Sequence, residues 1–516
     1  MKILFIEPIA DFIPVRHGFY CPNNGILALA AYLEQHQYEV KIVDPYILRI
    51  DWRGVLERLK QERPQVICMS AYTYNAYNCM AMARLIKDYF PKVTIIVGGI
   101  HFSAMPEESL HVCKSIDYII RGEGEITLLE LIRNLEDGKS KKSLGEVKGL
   151  AYLRDGEYLQ TSPRPFVEYI DSLPIPAYHL LSLKERKIPL AGRDTMGCSF
   201  SRGCVYRCTF CSSTQHWRGI VRRKSAQRIG EEIELLVRQY NKNLFVFGDD
   251  DFLHNQKENI EFLDEIKKRK LNIKYVIRTR IDDIIRNREY LEEFSKSGLI
   301  SVALGIERFQ QKDISDWRKQ YNVGDIEHAL YYLKKAKIPL IEMYLIFGLP
   351  EDNKRMWRDT VTMIKKLNQP VFLASLLTPL PGTSLFREKY KDIKVWDYRK
   401  YDFMHGIIPT RFLSTQEMED LIWKTFFFWW LTPASLLFGL SNIYRWRYYL
   451  FRLLMHIRGG YKFMQFLIRK MRRKQQSPYA LTVEEMCRKH HHYIGRESEQ
   501  ERRASLFGGR WGFKMQ

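Results

Sequence analysis

The stretch from Ser201 to Thr214 reads SRGCVYRCTFCSST. It sets Cys204, Cys208 and Cys211 in the pattern C-x3-C-x2-C, so all three sulfurs fall on one tight loop. Structural zinc sites take four protein ligands, whereas catalytic zinc sites take three and leave a position for water. A cubane iron–sulfur cluster held by three cysteines leaves one iron free to bind a substrate. Three thiolates therefore point to a site with one open coordination position. Cys198 lies nearby but outside the compact loop. The plain alternative is a structural zinc loop, or three buried cysteines that share no metal.

The chain around this loop has 516 residues, too many for one ordinary core, which predicts two or three domains. Its hydrophobic fraction of 46% and charged fraction of 27% are those of a folded protein. A formal net charge of +21 implies an acidic partner: nucleic acid, a membrane surface or an anionic substrate. Nine cysteines, scattered apart from the triplet, argue against a disulfide framework. The opening MKILFIEPIADF lacks the long apolar stretch of a signal peptide. These features predict a reducing, cytoplasmic location.

Ahead of the cysteine loop, KILFIEP, EVKIVD, QVICMSAYT, VTIIVGGIH and DYIIRGEGE read as strands with helical patterns between them. That alternation predicts a doubly wound, Rossmann-like parallel sheet. Ligands of such sheets bind at the carboxyl ends of strands, here Ser70 to Thr73, Gly98 to His101 and Arg121 to Glu125. GLAYLRDGEYLQTS reads as a hairpin around Asp155-Gly156, and SLPIPAYHLL as a proline-rich connector. Beyond the loop, FVFGDDDF, YVIRTRID, SVALGIERF, EMYLIFGLP and FLASLLTPLPG are strand-to-loop transitions of a full or partial (β/α) barrel. The expected organisation is a first α/β domain over 1–146, a linker with a hairpin over 147–190, a partial barrel over 191–411, and a helical C-terminal region over 412–516.

The triplet, with Phe210 ahead of its last cysteine, resembles the signature of the radical SAM enzymes. In that family the free iron chelates the amino and carboxylate groups of S-adenosylmethionine (SAM). An electron from the [4Fe-4S] cluster then cleaves the sulfonium to methionine and a 5′-deoxyadenosyl radical. Segments further on resemble the same family in order. GDDDF puts Asp249 and Asp250 at a strand end, suited to the SAM ammonium or ribose hydroxyls. RTRID puts Arg280 at the next strand end, suited to a carboxylate. GIERF offers Glu307, IFGLPED a Gly-Leu-Pro turn near the adenine, and PLPGTSLF completes the set. An ion pair inside the barrel is the alternative reading of Arg280 and of Glu307.

The first domain resembles the cobalamin-binding domain of one radical SAM subclass, and the likeness runs from Met1 to about Arg411. The loops SAYT, GGIH and RGEGE match, which implies cobalamin contacts from Ser70, Thr73, Gly98, Gly99, His101, Gly122 and Glu123. Glycine permits close approach of backbone to a flat macrocycle. The motif Asp-x-His-x-x-Gly, which brings a histidine to cobalt in other B12 enzymes, is absent. His101 is therefore given a place at the corrin edge or in loop packing rather than on the metal. The alternative is a Rossmann-like domain that has lost its ligand. The subclass includes the anaerobic magnesium-protoporphyrin monomethyl ester cyclase, the hopanoid radical enzymes and the phosphinate methylases. The resemblance implies a [4Fe-4S] cluster, SAM and cobalamin, with an electron donor such as flavodoxin or ferredoxin. It leaves two reactions open: radical methylation of a hydrophobic or lipid-like small molecule, or radical oxidation with ring closure. The competing class is a metal-loop RNA-binding or scaffold protein.

Positive charge concentrates late in the chain. No Asp or Glu occurs from Lys424 to Lys474, where basic residues interleave with FFFWWLTPASLLFGL and YYLFRLLMHI. The run from Phe426 to Leu440 is shorter than the roughly 20 residues a membrane span needs, and it contains Pro433. Aromatic and basic faces together predict peripheral contact with an anionic membrane, against a helical cap with a solvated basic face. Nucleic acid ranks last, because no recognised RNA module appears. The run His490, His491, His492 reads as a solvated polar turn ahead of a metal site.

Overall fold

Runs of aliphatic residues alternate with amphipathic helices, and the chain folds as that alternation dictates. The computed structural model describes residues 1–9, 21–137, 141–183, 189–190, 193–367, 371–430 and 478–496. Strands β1 (Lys2–Ile6), β2 (Glu39–Val43), β3 (Val66–Ser70), β4 (Thr94–Gly98) and β5 (Tyr118–Ile120) pair in parallel in the order β2-β1-β3-β4-β5. The order reverses at β1, between β2 and β3, and ligands of such sheets bind outside the carboxyl ends at that point. Helices α1 (Asn24–Gln35) and α5 (Glu125–Glu136) cover one face, sealing Ile3, Phe5 and Val66 against Ala30 and Leu131. Helices α2 (Ala76–Tyr89), α3 (Ile100–Ala104) and α4 (Pro106–Val112) cover the other. Asn23 starts α1 by accepting from the backbone N–H groups of Gly25 and Ile26.

Strands β6 (Leu150–Arg154) and β7 (Glu157–Gln160) form the expected hairpin. Asp155 and Gly156 both take positive φ, +53° and +86°, as a tight primed turn requires. The hairpin does not belong to a linker, however. β6 pairs antiparallel with β5, and Leu150 and Tyr152 enter the core beside α5, so the hairpin is the outer edge of the first sheet.

The second sheet begins at a short antiparallel strand β8 (Pro189–Leu190), followed by β9 (Arg193–Cys198). A two-residue ribbon, β10 (Ser201–Arg202) with β11 (Arg222–Arg223), brackets the cysteine loop and helix α6 (Ser212–Trp217). Then come β12 (Leu244–Phe247), β13 (Lys274–Arg280), β14 (Leu299–Glu307), β15 (Leu340–Phe347) and β16 (Phe372–Leu376). Strands β9-β12-β13-β14-β15-β16 are all parallel, and the sheet stays open between β16 and β8. Helices such as Ala226–Tyr240 and Asp325–Lys335 pack on its outer face. This is a half-barrel.

Helix α7 (Thr415–Trp430) lies against the last strand, with Phe426 stacked on Phe372 at 5.9 Å. Helix α8 (Pro478–Arg496) returns to the first domain and packs on α2 and α4. Tyr479, Val483, Met486 and Cys487 of α8 join the first domain's core. His490 is fully buried there, where Tyr77 bonds its Nδ1 and Glu108 Oε1 lies 3.0 Å from its Nε2. The histidine run is therefore part of a docked helix and not a solvated turn. Most of the basic aromatic stretch, residues 431–477, lies outside the described residues. Among the described residues no helix is long and apolar enough to cross a membrane.

Candidate active site

The cysteine loop starts where β9 ends and is pinned on every side. Gly203 holds φ +101°, and a Cβ there would stand 2.0 Å from the Ile220 carbonyl, so only glycine fits beneath the ribbon. Cys211 donates its N–H to the Cys208 carbonyl at 3.2 Å, and Leu385 donates to the Thr209 carbonyl at 3.1 Å. Phe210 packs edge-on against Trp317 with centroids 4.9 Å apart. Burial pushes the Cys211 thiol up to about 11 and raises Cys204 and Cys208 as well.

Arg280 ends β13 beside this loop. Its Nη1 lies 3.6 Å from Cys208 Sγ, and its guanidinium sits 3.5 Å above the Tyr206 ring. Its other nitrogens hold Asp282 at 3.0 and 3.3 Å. The residue expected to take up a carboxylate thus already carries one, and it faces a thiol. Glu307 is paired as well: Lys319 Nζ lies 2.9 Å from its Oε1 and 2.9 Å from the Gly305 carbonyl. Glu307 adopts φ +62°, a left-handed conformation uncommon outside glycine, which turns its side chain at the strand end. For both residues the alternative reading, an ion pair inside the barrel, describes the geometry.

The GDDDF carboxylates divide their work. Asp249 accepts from the Phe200 N–H at 3.2 Å and from Ser201 Oγ at 2.5 Å, fixing the entry to the cysteine loop. Asp250 accepts from Ser213, two residues past Cys211, and burial raises its carboxyl. Asp251, which sequence reasoning passed over, accepts from Thr279 Oγ1 at 2.9 Å. Asp352 was also missed. It takes Arg308 through two nitrogens at 2.7 and 3.0 Å and the Gly348 N–H at 2.8 Å, and so shapes the Gly-Leu-Pro turn. The signal was present, since an acidic residue four positions past a glycine turn caps it.

At the first domain's carboxyl edge, Gly99 holds φ +94°, and a Cβ there would lie 2.7 Å from both the Ala71 carbonyl and Ser70 Oγ. Thr73 is buried, and Gly98 ends β4. Gly122 holds φ +80°, donates to Ser103 Oγ at 3.0 Å, and faces open space where a side chain would go. His101 is 1% exposed, and among the described residues neither ring nitrogen has a hydrogen-bond partner. Its ring stands edge-on to Tyr398 at 4.9 Å, and burial pushes it down to about 4, so it is neutral.

Glu123 departs from its expected role. Its carboxylate accepts from Arg202 at 2.7 Å, Arg222 at 2.7 Å and the Val167 N–H at 2.7 Å, while Glu125 takes the other fork of Arg202 at 2.5 Å. Burial alone would raise its carboxyl, but the two arginines hold it below the usual range. Both oxygens are thus engaged by the protein itself. Arg202 and Arg222 are the paired residues of the ribbon that closes the cysteine loop. The first domain therefore grips the loop directly, and Asn24 adds a bond to Ser199 Oγ at 3.3 Å.

The chain matches the B12 binding domain over residues 13–132 and the radical SAM superfamily over residues 198–364. It is 28% identical to the anaerobic magnesium-protoporphyrin IX monomethyl ester cyclase of Cereibacter sphaeroides, covering 88% of this chain and 71% of that one. It is 26% identical to the hopanoid C-3 methylase of Methylococcus capsulatus, covering 82% and 79%. The fold is shared with the radical SAM methyltransferase TsrM of Kitasatospora setae, solved with cobalamin and a [4Fe-4S] cluster, at TM-score 0.66 and 17% identity over 87% of this chain and 98% of that chain. It is shared also with OxsB, solved with aqua-cobalamin and SAM, at TM-score 0.68 and 15% identity over 99% of this chain and 83% of that chain. The chain is a radical SAM enzyme. The B12-binding domain ahead of its half-barrel makes it one of the cobalamin-dependent kind.

The residues present suit the cofactors of that class. Three thiols on one loop are the donor set of a cubane with a free iron. Among the described residues no three metal-binding side chains converge as around a single ion, and a cubane spreads its thiolates over separate corners. The first domain offers glycine backbone, open space at Gly122 and an unpaired histidine ring.

Proposed function

We propose that this enzyme methylates a carbon of an apolar small molecule by a radical route. The observation that carries the reading is the seating of the first domain's carboxyl edge on the cysteine loop, through Glu123 and Arg202. Two cofactor sites joined in this way suit a substrate worked on from both sides. When bound, cluster-activated SAM supplies a carbon-centred radical that abstracts hydrogen, and cobalamin supplies the methyl group. In this reading Cys204, Cys208 and Cys211 hold the cluster, and Arg280 steadies the Cys208 sulfur with an N–H. Asp250 and Glu307 are the carboxylates this reading offers to the SAM ammonium, each keeping its present partner on one oxygen. Ser70, Thr73, Gly98, Gly99, His101 and Gly122 line the cobalamin seat. Glu123 positions and does not bind.

The cyclase relative supports a second reading, oxidation with ring closure. Anaerobic protein carrying both metals, given SAM and a reductant, separates the two. Methylation yields S-adenosylhomocysteine alongside 5′-deoxyadenosine, and cyclisation yields deoxyadenosine alone. Neither product, in protein with full iron, would end both readings. The exposed aromatics Phe412 and Trp423, ahead of the basic stretch, support peripheral contact with anionic lipid. Sedimentation with phosphatidylglycerol vesicles that survives high salt would end the electrostatic version of that contact.

A further inference from the structure

Most of the cysteine loop is covered by other parts of the chain. Arg202 is held by the first domain, the Thr209 carbonyl takes the Leu385 N–H, and Phe210 packs on Trp317. Of the described residues from Ser201 to Cys211, only Val205 and Arg207 are exposed. Both lie on the short bridge between Cys204 and Cys208, so the loop meets its surroundings through that bridge.

The bridge is part of a wider patch. Ile220, in the turn that leads to β11, is 47% exposed, and its carbonyl lies against Gly203, two residues before Val205, itself 45% exposed. A Cβ on Gly219 would lie 3.5 Å from Arg207 Nε, so the turn and the loop form one surface. On another side Tyr206 donates to Asp283 Oδ2 at 2.7 Å, and Arg286 pairs with the same carboxylate. The Asp283 side chain is fully buried and that of Arg286 is 46% exposed, so the surface presents the cation. Two branched aliphatic side chains are thus flanked by Arg207, Arg218 and Arg286.

The charge here is of one sign along the chain. From Thr195 to Gly230 there are seven Lys and Arg and no Asp or Glu. The exposed Arg218 rests its guanidinium over the Phe166 ring, 5.2 Å from the centroid, and a ring face holds a cation in place without neutralising it. Exposed apolar side chains rimmed by charge mark interaction surfaces. The aliphatic centre suits a protein partner ahead of a phosphate backbone, and the arginine rim calls for an acidic one.

We propose that this patch docks a small acidic electron-carrier protein that reduces the cluster. The proposal rests on the assignment of the cluster to Cys204, Cys208 and Cys211, and it names the partner of that site. The carrier passes one electron from its reduced centre to the oxidised cluster; no bond forms or breaks and no proton moves. Val205 and Ile220 seat the partner, and the arginines raise its rate of encounter.

The test follows loss of the cluster's visible absorbance in the reconstituted full chain, without oxygen, on mixing with fully reduced flavodoxin or with dithionite. Reduction by flavodoxin slows about tenfold as salt rises from about 50 to 300 mM. Arg207→Glu and Arg218→Glu each slow it about tenfold at low salt, and Arg207→Lys stays within about twofold of wild type. Lys60→Glu removes as much charge near the end of the helix Trp52–Glu62, at the amino edge of the first sheet, and changes the rate less than about twofold. Dithionite reduces all of these proteins at rates within about threefold of one another. A flavodoxin rate indifferent to salt and to both reversals overturns the proposal. Equal slowing by Lys60→Glu overturns it as well, by reducing the effect to net charge. So does slowing that dithionite shares, which places the change at the cluster. If Arg207→Glu takes up no iron, Arg218→Glu, outside the cysteine loop, decides alone. Failure of dithionite to bleach wild type brings down the cluster assignment, and the patch with it.

Discussion

The carboxyl edges of the two sheets are built on opposite plans. The barrel edge is knit: Asp249, Asp250, Arg280, Glu307 and Asp352 each hold a neighbour near the cysteine loop or the turn beyond it. The first-domain edge is open: Gly122 faces clear space, Gly99 lets the backbone pass close to Ser70 and Ala71, and among the described residues the His101 ring has no hydrogen-bond partner. One edge is finished before its ligands arrive, as a site that must steer a radical requires. The other keeps room and unmet hydrogen bonds for a large ligand. Glu123 crosses between them, rising from the open edge to hold the knit one.

The sharpest way to break the knit edge is Cys208→Ala. Iron content should fall to background, and deoxyadenosine formation should drop by on the order of 10³-fold or more. Retained SAM cleavage would remove the cluster from the loop.

A smaller effect is expected at the crossing. Glu123→Gln leaves Arg202 and Arg222 short of a buried counter-charge, lowering stability by about 2–3 kcal/mol in urea unfolding. Because the arginines hold the Glu123 carboxyl below its unfolded value, its contribution is present above about pH 4.3 and is lost as pH falls through the folded value. Wild type should therefore lose more stability between pH 5 and 3 than the variant, and parallel curves would reduce the clamp to a surface pair.

The open edge should respond least in stability and most in binding. His101→Leu should change the stability of cobalamin-free protein by less than about 1 kcal/mol, since no hydrogen bond is lost. Cobalamin affinity should fall roughly tenfold if the ring serves the ligand. The pH signature has the opposite origin from Glu123. His101 is neutral when folded and protonates when unfolded, so wild-type stability falls as pH drops from about 6.5 towards about 4. Loss of that slope in the variant, without loss of cobalamin, would make His101 a packing residue.

Local patterns carried much of this architecture. The strand-to-loop transitions, the Asp155-Gly156 turn and the three-cysteine loop are short-range features, and each is set by its own residues. What escaped depends on contacts that form only once the elements are folded and docked. Glu123 in RGEGE sits at a strand end, where ligand contact is the natural reading, and Arg202 stands 79 residues away. Arg280 looked like a free carboxylate receptor because its partner, Asp282, is drawn in only when β13 ends and the next helix turns. The histidine run hid a helix whose apolar face was in the spacing of Tyr479, Val483, Met486 and His490, four, three and four residues apart.

Helix α8 gives the order of assembly a direction. The first domain is read out before the half-barrel, yet its core is completed by Tyr479, Val483 and Met486, more than 300 residues beyond the end of its own sheet at Gln160. At roughly 5–20 residues per second, the ribosome needs tens of seconds to deliver that missing wall. Through that interval the polypeptide carries a nascent B12-binding domain with one flank bare. Maturation of this enzyme is thus expected to run backwards relative to its sequence, the half-barrel closing on the ribosome before the domain that precedes it.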